Sequence, residues 1–96
     1  MQQTIPSAAY KKAADIFSTI STPNSILVIQ ALVDNQELSS KQLAAITKLS
    51  ISQVHRVMAN LIVISLARKE TMGVEVIYKL VHGRLETINA AAARLL

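Results

Sequence analysis

Cysteine is absent from the 96 residues, which excludes disulfides, thiolate metal sites and thiol redox chemistry. No glycine-rich phosphate loop is present, and the two histidines have no evident carboxylate partner in the sequence, so an enzyme is not expected. No apolar run approaches the roughly 18 residues of a membrane span, and no basic start followed by an apolar stretch marks the N-terminus. A cytoplasmic location without membrane association is therefore expected.

Apolar side chain is what the sequence has in excess. At 51% hydrophobic residues, a single small domain holds more than one core readily hides, which points to self-association. The net charge of +4 is unevenly placed. Between positions 41 and 79 six basic residues (Lys41, Lys48, Arg56, Arg68, Lys69, Lys79) face two acids (Glu70, Glu75). Outside that range Lys11, Lys12, Arg84 and Arg94 are offset by Asp15, Asp34, Glu37 and Glu86. A solvated surface can carry such lysines, but confinement of the excess to one region favours a polyanion partner.

That region writes one helix-start signature twice, eleven residues apart. In the first copy Ser39 can cap a helix, Gln42 can return a hydrogen bond to it, and Leu38 and Leu43 occupy the positions of a hydrophobic staple. Ser50, Gln53, Leu49 and Val54 repeat the pattern. The spacing leaves room for a short helix from Ser40 to about Ile46, a turn at Thr47-Lys48-Leu49 and a second helix from Ile51 to about Leu61 or Ile62. This is a helix-turn-helix over 39–62. Val54, Val57, Met58 and Leu61 fall on one face of the second helix, at core spacing. Ser52, Gln53, His55, Arg56, Ala59 and Asn60 remain outside.

Those outward residues suit the edges of bases. Arg56 can pair bidentately with guanine, Gln53 or Asn60 with adenine, and Ser52 or His55 can reach a base or a phosphate. Blander roles stand beside these: a capping side chain for Gln53, a polar helix end for Asn60, a surface histidine for His55.

The flanks follow a simple order. Pro6 disfavours helix at Ile5, Ser7 is a candidate cap, and Ala9, Ala13, Ile16, Phe17 and Ile20 form the apolar face of a helix ending near Ser21. Thr22-Pro23 starts another, with proline where its missing N–H costs nothing. The run from Ile26 to Val33, stopped by Asp34-Asn35, reads as a buried helix at the centre of the core, followed by a linker from Asn35 to Leu38. From Ser65 the pattern alternates: Val74, Val76, Tyr78 and Leu80 on one face, Glu75, Ile77 and Lys79 on the other. Leu66 to Lys69 can pair with this strand, with Thr71-Met72-Gly73 closing the hairpin, so that a wing spans 65–80. Arg68 and Lys69 can press on DNA phosphates there, or act as edge-strand charges that discourage aggregation. A final helix over 84–96, with Leu85, Ile88, Ala92 and Leu95 in a stripe, joins the helix of 7–20 as a dimer interface. Packing within the monomer is the alternative for both.

With Asp15-Ile16-Phe17, Pro23-Asn24, Leu38-Ser39 through Leu43-Ala44, Leu49 through Val54, Gly73 and Ile77-Tyr78 in this order, the chain resembles the ArsR/SmtB-type winged-helix repressors. The resemblance covers about residues 10–96. It implies a mainly α fold with a small β-hairpin, a winged helix-turn-helix in the order α-α-α-α-β-β-α, a homodimer joined by its terminal helices, and repression from a palindromic operator. It places Ser52, Gln53, His55 and Arg56 on the recognition face and Lys69 to Glu75 on the wing.

Several departures accompany the resemblance. Ser25 stands where the family usually has arginine after its Pro-Thr, and the glycine between recognition helix and wing is missing from 61–66. The metal-binding cysteine pair is absent. His82, Arg84 and Glu86 do not supply the C-terminal metal site. A member without metal, without cofactor and with an unknown inducer is implied. The expected partner is double-stranded DNA, contacted by Ser52, Gln53, His55, Arg56, Asn60, Lys41, Lys48, Arg68 and Lys69. Two other uses of the fold compete with repression: DNA partition or organisation, and a protein-interaction module.

Overall fold

A computed structural model of the protein describes residues 7–81, 83, 84 and 86, and the side chains of these except 7–10, 12 and 13. Seven elements follow in the order α1 (Ser7–Ile20), α2 (Pro23–Asn35), β1 (Glu37–Ser39), α3 (Ser40–Thr47), α4 (Ile51–Val63), β2 (Ala67–Met72) and β3 (Glu75–Leu80). The expected C-terminal helix lies, beyond Glu86, outside the described residues, as do His82, Leu85 and the Met1–Pro6 lead.

The helix starts form as their caps dictate. Thr22 accepts the Ser25 N–H with Pro23 in the first turn. Ser39 and Ser50 each accept the N–H three residues on, while the Gln42 and Gln53 side chains accept the N–H of Ser39 and Ser50 at 2.8 and 2.9 Å. Both predicted capping boxes are complete, so both helix axes begin at fixed points. Ser25 is buried, and Thr22 donates its hydroxyl to the Ser25 oxygen at 2.8 Å.

The helix ends are less ordinary. Leu66 N–H donates to the Leu61 carbonyl and Ser65 N–H to that of Ile62, the paired bonds of a Schellman ending. Ser65 takes the left-handed conformation, φ 63, in the position where glycine is usual. Gln36 and Lys48 close α2 and α3 in the same half of backbone space, with φ 64 and 65. At Lys48 the turn is secured from beside: buried Thr47 donates its hydroxyl to the Leu43 carbonyl and accepts the Leu49 N–H. The turn of the helix-turn-helix thus forms without glycine.

The core gathers Val28, Ala31 and Leu32 of α2, Leu43 of α3, and Val54, Val57, Met58 and Leu61 of α4. Leu38, Leu66, Ala67 and Tyr78 complete it. Ile16, Phe17 and Ile20 of α1 pack against it, half-buried. That part of the first helix's apolar face is therefore spent inside the subunit, while the side chains of Ala9 and Ala13 lie outside the description. α2 is central on one face only. Ile26, Leu27 and Val33 on its other face are exposed. Among the described residues no single helix is long and apolar enough to cross a membrane.

The sheet differs from expectation in three places. It has three antiparallel strands in the order β1-β3-β2, because the segment read as a linker contains β1, which pairs Leu38 with Tyr78. Three residues are too few for an alternating pattern to reveal. The hairpin closes at Gly73-Val74 rather than at Thr71-Met72-Gly73: Thr71 and Met72 belong to β2 and pair with Val76 and Glu75. Gly73 has φ +66 and Val74 has no positive φ, the pattern of a type II′ two-residue turn whose twist suits the strands. Val74, placed by alternation on the inner face, sits instead at the tip, fully exposed.

Ser65→Gly removes a side chain from a left-handed position, and we expect the unfolding free energy to rise by about 0.5–1 kcal/mol. The check is a higher urea midpoint at unchanged m-value. A lower midpoint would show that the Ser65 side chain repays its backbone cost.

Candidate nucleic-acid interface

α4 divides along its length. Val54, Met58 and Leu61 have no exposed surface and Val57 has 6%. Those four lock the rotation of the helix about its axis. Ser52, Gln53, His55, Arg56, Ala59 and Asn60 are all exposed on the opposite side, as the 3.6-residue period requires. His55, Arg56 and Asn60 make no side-chain hydrogen bond or ion pair within the described structure, so their polar atoms are available. Gln53 is committed in part. Its Oε1 accepts the Ser50 N–H, which leaves its amide NH2 group to meet a ligand.

The basic residues separate into three groups. Lys41 stands in the first turn of α3 and Lys48 in the turn before α4, both exposed and without an ion-pair partner among the described residues. Lys69 lies opposite Tyr78 on the sheet face that also carries buried Leu38 and Ala67. Lys69 and Tyr78 share a cleft with His55, Ala59 and Ile62 of α4 and Val76 of β3. The wing and the outward face of α4 therefore meet at Lys69 and His55. Arg68, one residue earlier, takes the other sheet face opposite Lys79. The structure does not bring Arg68 together with α4.

Lys79 does not contribute free charge. Its Nζ lies 3.2 Å from a carboxylate oxygen of Glu37 and 3.2 Å from one of Glu70. Hydrogen bonds from Lys79 to these two carboxylates, Glu70 first, hold its pKa above the ordinary lysine value. The raised value means that the bridging contribution is complete below the ordinary lysine range and is lost only as pH rises through the higher folded value. The basic excess read between 41 and 79 is thus smaller at the surface than in the sequence.

Sequence reasoning missed the cleft itself. Tyr78 was visible only as an inner-face strand residue, since its pairing with Lys69 depends on a register that closure at Thr71-Met72-Gly73 would have shifted. Burial raises the Tyr78 pKa. Among the described residues no three His, Asp or Glu side chains come together as a metal ion would need.

No protein-family model matches the sequence, and no curated protein matches it. Solved structures do match. NolR from Sinorhizobium fredii superposes with a TM-score of 0.81 at 22% identity, covering 99% of this chain and 96% of its own. An ArsR-like transcriptional regulator from Rhodococcus sp. RHA1 gives 0.76 at 18% identity, over 92% of this chain and 82% of its own. The transcriptional repressor PagR of Bacillus anthracis gives 0.70 at 18%, over 90% and 99%. The structural neighbours are ArsR/SmtB-type winged-helix regulators, and the fold is a winged helix-turn-helix.

The second capping box sets where the exposed face of α4 begins. Ser50→Ala should lower the unfolding free energy by about 1 kcal/mol, read from urea unfolding. An unchanged midpoint would mean that the Gln53 half of the box suffices.

Proposed function

We propose that this protein is a sequence-specific DNA-binding transcriptional regulator, a homodimeric repressor that sets α4 in the major groove of a palindromic operator. One observation carries the reading: α4 is locked by its buried row while His55, Arg56 and Asn60 stand opposite, exposed and without side-chain partners among the described residues. A reading element needs both properties, because base contacts specify only when their donors are held in register.

The roles follow from donor geometry. The Arg56 guanidinium pairs with the two acceptors of a guanine edge, and Asn60 with adenine. Ser52, His55 and the free Gln53 amide group contact a base or phosphate beside them. Lys48 precedes the start of α4, where its N–H groups also favour phosphate, and Lys41 offers a second cation from the first turn of α3. Lys69 reaches the backbone from the wing. Arg68, on the far face of the hairpin, is assigned an edge-strand charge in preference to a phosphate contact. Likeness to a protein described as a transcriptional repressor and the basic character of the chain both support the assignment.

The dimer is proposed from the excess of apolar side chain and from the terminal segments, 7–20 and 84–96. Two-fold symmetry then sets the recognition helices about one DNA turn apart, roughly 34 Å. Selection from random duplex DNA tests the whole reading. A short palindrome bound by two chains supports repression, and tandem repeats bound cooperatively would point to partition instead.

Two substitutions separate reading from positioning. Arg56→Ala should cost about 1–3 kcal/mol of binding and relax preference at one base position per half-site. Lys69→Ala should weaken specific and non-specific DNA alike and reduce the slope of log K against log salt by about 0.9 for each phosphate no longer neutralised. Lys79→Gln should leave that slope unchanged, since two carboxylates already neutralise the lysine. Should Arg56→Ala bind every sequence as well as wild type at matched salt, a protein-interaction module replaces the DNA reading.

A further inference from the structure

The cleft between α4 and the wing encloses about 230 Å³ and is lined by His55, Ala59, Ile62, Lys69, Val76 and Tyr78. Its lining mixes two chemistries: Ala59, Ile62 and Val76 are apolar, while His55, Lys69 and Tyr78 bring an imidazole, an ammonium and a phenol. Tyr78 is buried, with 5% of its surface exposed. No hydrogen bond or ion pair engages the Tyr78 hydroxyl within the described structure. That hydroxyl is also not among the fully enclosed polar atoms, so it remains accessible to a partner from outside.

We propose that this cleft binds a small organic acid, a carboxylate on a compact apolar body such as a single ring. The carboxylate accepts from Tyr78, Lys69 and His55, and the ring lies against Ala59, Ile62 and Val76. The size of the cleft sets the scale. Drug-sized ligand sites enclose roughly 300–1,000 Å³, and this one falls below them, so the occupant is small. The charge decides the sign. The described lining contains a cation and no carboxylate. The apolar residues of the lining argue for a body that inorganic phosphate lacks.

Position gives the cleft a consequence that rests on the DNA-binding reading. Lys69 and His55 cannot hold a ligand carboxylate and a DNA phosphate at once. An acid seated between reading helix and wing therefore competes with DNA, which is the behaviour of an inducer.

Benzoate is the probe, titrated into the full chain without DNA and followed by protein amide NMR. Saturable shifts are expected at α4 and the wing, around residues 55–62 and 69–78. Benzamide, which lacks the charge, and inorganic phosphate, which lacks the apolar body, should bind at least about tenfold more weakly. Tyr78→Phe keeps the packing of the ring and should weaken benzoate about tenfold. Ala59→Leu, at an exposed helix position, should fill the cleft and abolish binding, which covers the case of a destabilised Tyr78 variant. No saturation at millimolar benzoate, equal binding of benzamide or phosphate, or an unchanged Tyr78→Phe affinity overturns the site. With selected DNA present, benzoate should weaken the complex by roughly tenfold for each charged hydrogen bond it displaces. Benzoate binding that leaves DNA affinity unchanged overturns the competition. Benzoate binding by a chain that holds no DNA sequence leaves the site standing and removes the DNA reading, so the two failures are distinct.

Discussion

The burial of one face of α4 is the constraint on which the rest depends. Val54, Met58 and Leu61 are fully enclosed, with Val57 nearly so, and each such side chain is worth about 1.5–3 kcal/mol when removed from water. Successive residues of a helix are about 100° apart around its axis, so fixing this row fixes every other side chain of the helix. The direction of Arg56 is therefore not set by anything Arg56 touches. It is set by Val57 and Met58 beside it in the sequence, which join Leu43, Val28 and Leu32 in the core. A reading face on which His55, Arg56 and Asn60 make no side-chain bonds among the described residues can be rigid because its back is packed.

The capping boxes and the left-handed helix ends do for position what burial does for rotation. Ser39 and Ser50 start α3 and α4 at defined residues, and Lys48 turns the chain between them at φ 65. A side chain in that conformation costs about 1–2 kcal/mol that glycine would avoid. Ser65, with φ 63, takes a positive φ at the end of α4 as well. The compensation is local. Leu66, held by the Schellman bond to Leu61, is fully buried against the core, and Thr47 bridges the turn at Lys48 from both sides. Using lysine in place of glycine at this turn also keeps a cation next to the N-terminus of α4, where an anion is favoured by the helix dipole.

Much of this architecture was legible because it is written locally. A capping box needs only serine and glutamine three apart, and Thr22-Pro23 needs only each other, so the starts of α2, α3 and α4 could be read residue by residue. The core face of α4 followed from its period. What stayed hidden is set by pairing across the chain. β1 exists because Glu37, Leu38 and Ser39 find Lys79, Tyr78 and Ile77 far along the sequence, and nothing within three residues announces that. The hairpin register turned on Thr71 and Met72, which are as acceptable in a strand as in a loop, whereas Gly73 alone needs the positive φ. Misplacing the turn separates Lys69 from Tyr78, and with it the cleft disappears from view. The outward residues of α4 were legible as a face, but the partial commitment of Gln53 to its cap could be settled only by geometry.

Charge illustrates the same difference between composition and placement. Adjacent strand residues point to opposite faces, so Arg68 and Lys69, equivalent in a tally, part company. Lys69 joins Tyr78 on the face turned toward α4, and Arg68 joins Lys79 on the other. On that second face Glu37 and Glu70 close on Lys79 from the two strands beside it, which ties β1 and β2 to the central strand and cancels the lysine's field at a distance. The acids are placed where a cation serves the sheet, and none lies in the cleft beside α4 that Lys69 and His55 line. Positive potential is consequently concentrated on the side of the wing that adjoins the exposed face of α4. A run of basic residues between 41 and 79 could not indicate that; the strand register and two ion pairs determine it.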